Sequence, residues 1–104
     1  MSLIHRRIFY AKVGAANELV QLMHDDNSAM ARFGSAINSR ILTDHMTGRS
    51  DRVVMEWEAE DIWSMDAATN QVMANPEGGD FFGEWMEKLN ALIRYSEGEL
   101  WDVR

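Results

Sequence analysis

Cysteine is absent from the 104 residues. That excludes disulfide staples, thiol nucleophiles, iron–sulfur clusters and Cys-ligated zinc. Proline occurs once, at Pro76, so no proline-rich linker divides the chain. Basic charge is scarce: ten Lys and Arg stand against 17 Asp and Glu, a net charge of −7. Such a chain matches a phosphate backbone poorly, and no nucleic-acid partner is expected. Long apolar runs are missing too. The longest, Ile8-Phe9-Tyr10-Ala11, is too short to span a bilayer or to form the apolar part of a secretory leader. A soluble cytoplasmic domain with no membrane partner is the expectation. Phosphate loops, nucleophile elbows and G-x-G-x-x-G fingerprints are also lacking. The three histidines, His5, His24 and His45, form no ligand-spaced set, and no metal or cofactor is expected. His24, Asp25 and Asp26 are consecutive on a predicted helix, so their side chains point in different directions.

What is present is ordinary globular material. Apolar residues make up 46% and charged residues 26%. The length suits one domain, residues 1–104, which buries roughly 65% of the surface its unfolded chain exposes. Charge is unevenly spread. Residues 1–52 carry seven basic and five acidic side chains, and residues 53–104 carry three and twelve. With no linker between them, the halves are expected to pack together and partly neutralise each other.

The hydrophobic pattern predicts a β-α-β-β-α-(α)-β order. Leu3–Lys12 reads as a strand rich in β-formers, closed by Val13-Gly14. A helix over 15–33 follows, with Leu19, Leu22, Met23, Met30 and Phe33 at helical spacing and Gly34 as its stop. A second strand spans 36–44, then a turn at Met46-Thr47-Gly48-Arg49. The third strand, Arg52–Glu58, alternates cleanly, with Val53, Met55 and Trp57 on one face. A helix opened by Glu60 or Asp61 runs to Val72 and stops before Asn75-Pro76. Asp80 is read as the cap of a short extra helix bearing Phe82, Trp85, Leu89 and Leu92 on one stripe. Tyr95–Val103 is the last strand.

Split βαβ units of this kind fold as a ferredoxin-like α+β sandwich, with four antiparallel strands in order 4-1-3-2 and helices on one face. Arg6 and Arg7 on the first strand then lie between Glu56 and Glu58 on one side and Glu97 and Glu99 on the other. The uncovered sheet face is expected to carry Val54, Glu56, Glu58, Asn38, Arg40 and Leu42, with His5, Arg7 and Phe9 from the first strand. Such a mixture of apolar and charged groups suits two sheets meeting about a two-fold axis, a homodimer through the open face.

Five residues are candidates for binding a ligand. Arg7 and Arg40 sit mid-strand, where a guanidinium fork holds a carboxylate or phenolate, unless each is paired with Glu56 or Glu58. Trp63, Phe82 and Trp85, with Phe81, either line an apolar pocket between the last helices and the sheet or form ordinary core. The eight methionines suit both readings.

The element order, with its extra helix before the last strand, resembles the dimeric α/β-barrel superfamily. Within it the chain is most similar to the NIPSNAP-like group, whose first strand reads R-x-Y-x-x-K-P-G. Here Arg7, Lys12 and Gly14 match, Glu18 follows in the helix, and Phe9 and Val13 replace Tyr and Pro. The group's third strand keeps a His two before a Trp. Trp57 matches, and Met55 stands at the His position. Asn75-Pro76-Glu77 before an aromatic helix is a further likeness. The resemblance implies two ferredoxin-like subunits closing one barrel. The group's biochemical role is unknown, and the resemblance points first to a homodimeric domain with a pocket for a small apolar or aromatic ligand. The superfamily also implies an alternative, a cofactor-independent monooxygenase or isomerase of aromatic or polyketide-like substrates. In it Arg7 or Arg40 steadies an enolate or phenolate. No histidine follows His45, which counts against a haem-degrading relative with a ligand on the later helices.

Overall fold

The computed structural model describes residues 2–45 and 50–104. The turn expected at 46–49 lies outside the described residues. The elements are β1 (Leu3–Ala11), α1 (Ala16–Arg32), β2 (Arg40–Thr43), β3 (Arg52–Ala59), α2 (Ile62–Ala74), α3 (Pro76–Leu92) and β4 (Ile93–Asp102). They form one four-stranded antiparallel sheet in the order β2-β3-β1-β4, with the helices packed on one face. This is the ferredoxin-like α+β arrangement expected from the pattern.

Local chemistry explains the boundaries. α1 ends because Gly34 takes a left-handed φ of 100°, which costs a glycine little. The amide of Ser35 then donates back to the carbonyl of Met30 at 2.9 Å. The next segment is tied down by Asn27. Its amide donates to the carbonyl of Ser39 at 2.9 Å, and its carbonyl oxygen accepts from the Ser39 amide and hydroxyl at 3.0 and 2.8 Å. Those bonds use Ser39 before it can pair with β3, so β2 is four residues long rather than the nine expected. α2 starts at Asp61, whose carboxylate accepts from the Ser64 amide at 2.8 Å.

The start of α3 differs from expectation. Its cap is Asn75, which accepts from the Glu77 amide at 3.0 Å, with Pro76 in the first turn. Asp80 and the Gly78-Gly79 pair are inside the helix, which is 17 residues long and not short. Gly78 is needed there because a Cβ would lie 2.2 Å from the Val72 carbonyl oxygen. The glycine therefore lets α3 turn tightly against α2.

The main core joins Phe9 and Ala11 of β1, Val53 and Met55 of β3, Leu19, Leu22 and Met23 of α1, and Trp85 and Leu89 of α3. A second cluster joins Ala29 and Phe33 to Val72. Phe9 therefore faces the helices, and the cross-strand pairs Arg7↔Met55 and His5↔Trp57 share that face. This reverses the expected phase of the first strand. The open face carries Ile4, Arg6, Ile8 and Tyr10, not His5, Arg7 and Phe9. β1 is apolar on both sides, so its alternation alone did not fix which set turned inward.

Candidate functional site

α1, α2, β3 and the segment between α1 and β2 border a partly open cavity of about 70 Å³, lined in part by Met30, Ile37, Met55, Trp57 and Met65. Its polar wall comes from Asp26, Asn27, Ser39 and Thr69. Asn27 and Ser39 satisfy each other through the bonds described above, but Asp26 makes no hydrogen bond or ion pair with the described residues. Burial alone pushes its carboxyl up from 3.8 to about 6, and no arginine, lysine or histidine offsets the shift. The floor residues Met55 and Trp57 come from the regular alternation of β3. Asp26 comes from α1, four residues after Leu22 and four before Met30. It therefore occupies a stripe position where an apolar residue is the rule. His24 and Asp25, its neighbours in sequence, are exposed.

None of the five expected binding residues lines this cavity. Arg7 lies on the helix-facing side, where its guanidinium sits 5.6 Å from the centre of the Phe9 ring. Its stem lies beside Gly98 on β4, 3.7 Å from where a Cβ would stand on that residue. Arg7 forms no ion pair with the described residues. Next to it, the His5 ring packs edge-on against Trp57 at 4.3 Å, and burial and the Arg7 charge lower its pKa. Arg40 is on the other face of the sheet and is paired with Glu56. Phe82 and Trp85 meet edge to face at 5.9 Å. Trp85 is 8% exposed, and its indole N–H donates to the Leu22 carbonyl at 2.8 Å. These two rings are core between α1 and α3. Trp63 is 75% exposed at the start of α2 and joins neither group.

The open face has its own order. One row across the four strands reads Arg40, Glu56, Arg6, Glu99, fixed by the registers Arg40↔Glu56, Arg6↔Glu56 and Arg6↔Glu99. The charges alternate, and Arg6 bonds Glu56 at 2.6 Å and approaches Glu99 at 3.6 Å. Glu56 is only 5% exposed, covered by its two arginines rather than by depth in the fold, and their hydrogen bonds hold its carboxyl below the usual range. The next row is apolar at Leu42, Val54 and Ile8. Tyr10 and Tyr95 stack at 4.3 Å in the row beyond.

No protein-family model matches the chain, and no curated protein matches it. Solved structures do. An uncharacterised NIPSNAP-domain protein from Burkholderia xenovorans superposes with a TM-score of 0.75 at 15% identity, over 98% of this chain and 94% of that one. A NIPSNAP-family protein from Agrobacterium tumefaciens gives 0.74 at 14% identity, over 99% and 86%. A variant of SnoaB, a cofactor-independent oxygenase from Streptomyces nogalater, gives 0.71 at 19% identity, over 99% and 93%. The chain shares the fold of these NIPSNAP-domain proteins and of SnoaB. Among the described residues no helix is long and apolar enough to cross a membrane, and no cluster of potential metal ligands occurs.

Proposed function

We propose that the chain is a homodimeric small-molecule-binding domain that pairs through the open face of its sheet and holds its ligand between helices and sheet. The cavity under α1 and α2 carries this reading. It has a largely apolar wall with a few polar groups, among them the unpaired Asp26 carboxyl, the composition typical of a ligand site. Its volume of about 70 Å³ is roughly half that of a cavity known to take benzene, about 150 Å³. A ligand with only a few heavy atoms fits as it stands, and a ring enters only if Met30, Met55 and Met65 move aside, as flexible thioethers can. The pairing of the sheets is supported by the composition of the open face, where Ile8, Val54 and Leu42 border the Arg40–Glu56–Arg6–Glu99 row. The test is a fragment screen read by methionine-methyl NMR. Shifts confined to Met30, Met55 and Met65 are expected, and a screen in which no fragment moves them overturns the ligand-binding reading.

One observation favours a second reading, a cofactor-independent enzyme such as an oxygenase of aromatic substrates. A carboxyl raised to about 6 in an apolar wall is poised as a general base near neutral pH. Arg7 and Arg40 do not serve this reading as expected, since neither lines the cavity. Oxygen uptake with hydroquinone-type substrates, lost in Asp26→Asn, would establish it.

A further inference from the structure

Resting on the ligand-binding reading above, we propose that the cavity between α1, α2 and β3 is a site for a small organic cation, with the Asp26 carboxylate as its counter-ion. Three features of the cavity point the same way. Its one charged group, which has no partner among the described residues, is an acid. The amide and hydroxyl groups beside it, on Asn27 and Ser39, are spent on each other. The apolar part of the wall includes an indole and three thioethers, electron-rich groups that attract an ammonium through its charge.

The surroundings supply no competing cation. Arg7 and His5 lie one strand over from the floor residues Met55 and Trp57. Arg7 turns towards β4, and desolvation alone raises the Asp26 carboxyl, with no cation acting on it. An anionic ligand would meet Asp26 with no arginine to offset it. A neutral apolar ligand would leave the carboxylate without a partner, as it is now. A protonated amine gives it an ion pair in a partly desolvated site, where charge-assisted hydrogen bonds are strong. The volume limits the buried part of the ligand to an ammonium head and a short branched or methylated stem.

The test compares isobutylamine, isobutanol and isobutyrate at pH 7.5, with one carbon skeleton and three head groups. Binding is followed by the methyl signals of Met30, Met55 and Met65 and the indole N–H of Trp57. Isobutylamine is expected to bind at least about tenfold more tightly than the alcohol, the ratio that one pKa unit of interaction confers. Asp26→Asn should abolish that preference while leaving the alcohol's affinity unchanged. Asp25→Asn, next in sequence but exposed, should leave the preference intact, which separates the site from general attraction to a chain of net charge −7. Equal binding of amine and alcohol, a preference that survives Asp26→Asn, or selective binding of isobutyrate overturns the cation proposal and leaves the pocket standing. Failure of all three ligands to move these signals overturns both.

Discussion

Asp26 shows what a single misplaced polarity does in a helix stripe. Half-buried and without a partner among the described residues, its charged form is disfavoured, and the folded chain binds its proton more tightly than the unfolded one. The folded value is raised from 3.8 to about 6, so the stability this group lends is fully present below the unfolded value. It is lost as pH rises through the folded one. With allowance for its partial contact with water, the penalty at pH 7.5 is about 2 kcal/mol. Asp26→Asn should therefore be the more stable protein by about that amount at pH 7.5 and have no advantage near pH 3.5. Urea unfolding at the two values checks this; an advantage that does not change with pH would mean that the carboxylate is not desolvated. The residue was legible in the sequence as the charged member of the Leu19–Leu22–Met23–Met30–Phe33 stripe. It escaped notice when grouped with its exposed neighbours His24 and Asp25. Arg7 was singled out but placed on the wrong face of the sheet. The acids that Arg6 needs are on the open face, and only the packing of Phe9 under α1 shows that Arg7 points the other way.

At the scale of elements, the sequence signals were reliable where one rule acted alone. β3 alternates without ambiguity, and Val53 and Met55 are buried as expected. The α2–α3 corner is a contest of rules. Gly-Gly reads as a loop, yet Asn75 followed by Pro76 is a strong helix start, and the glycine at 78 serves close packing instead of a turn. Gly78→Ala should consequently destabilise by about 1–3 kcal/mol or more, the cost of forcing extra volume into a packed site. Here the obstacle is the backbone carbonyl of Val72, which cannot swing aside as a side chain would. Gly83→Ala, where a Cβ meets nothing within 4 Å, should stabilise α3 by up to about 1 kcal/mol. Thermal unfolding of the pair separates a steric need from mere helix propensity. Trp85 ties α3 to α1 by packing and by its bond to the Leu22 carbonyl. Trp85→Ala should cost about 3–5 kcal/mol, and Trp85→Phe should recover most of that loss. A small cost for the alanine variant would mean that the ring borders solvent, contrary to its burial.

For the whole molecule, the issue is what the open face meets. The Arg40–Glu56–Arg6–Glu99 row and the apolar row beside it explain why the basic first half and the acidic second half of the chain belong together. The strand order brings β1 between β3 and β4 and turns a sequence asymmetry into cross-strand pairs. That much was legible in the sequence. The phase of β1 was not, because the residues that choose between its two apolar faces are on α1 and α3. In a monomer the row is wet at both ends, with the side chains of Arg40 and Glu99 75% and 39% exposed, and pairs of that kind contribute little. In the proposed homodimer the row would be buried, and an interface of that type should remove about 1,200–2,000 Å² from water. Glu56 is then the counter-charge for two arginines at once, and Glu56→Ala should weaken the dimer by about 3–5 kcal/mol by leaving buried positive charge unpaired. Glu56→Leu together with Arg6→Met and Arg40→Met removes the whole charged set and should restore much of the loss. Stability should rise with protein concentration, because folding and association are linked. Acid should dissociate the pair as pH falls through the lowered value of Glu56, since a carboxylate depressed in the folded state lends stability only while it is charged. Sedimentation across a concentration series, at pH 7.5 and in acid, measures all of this. A monomer that persists at micromolar concentration, or a Glu56→Ala chain that associates as well as the parent, would show that the face meets only solvent.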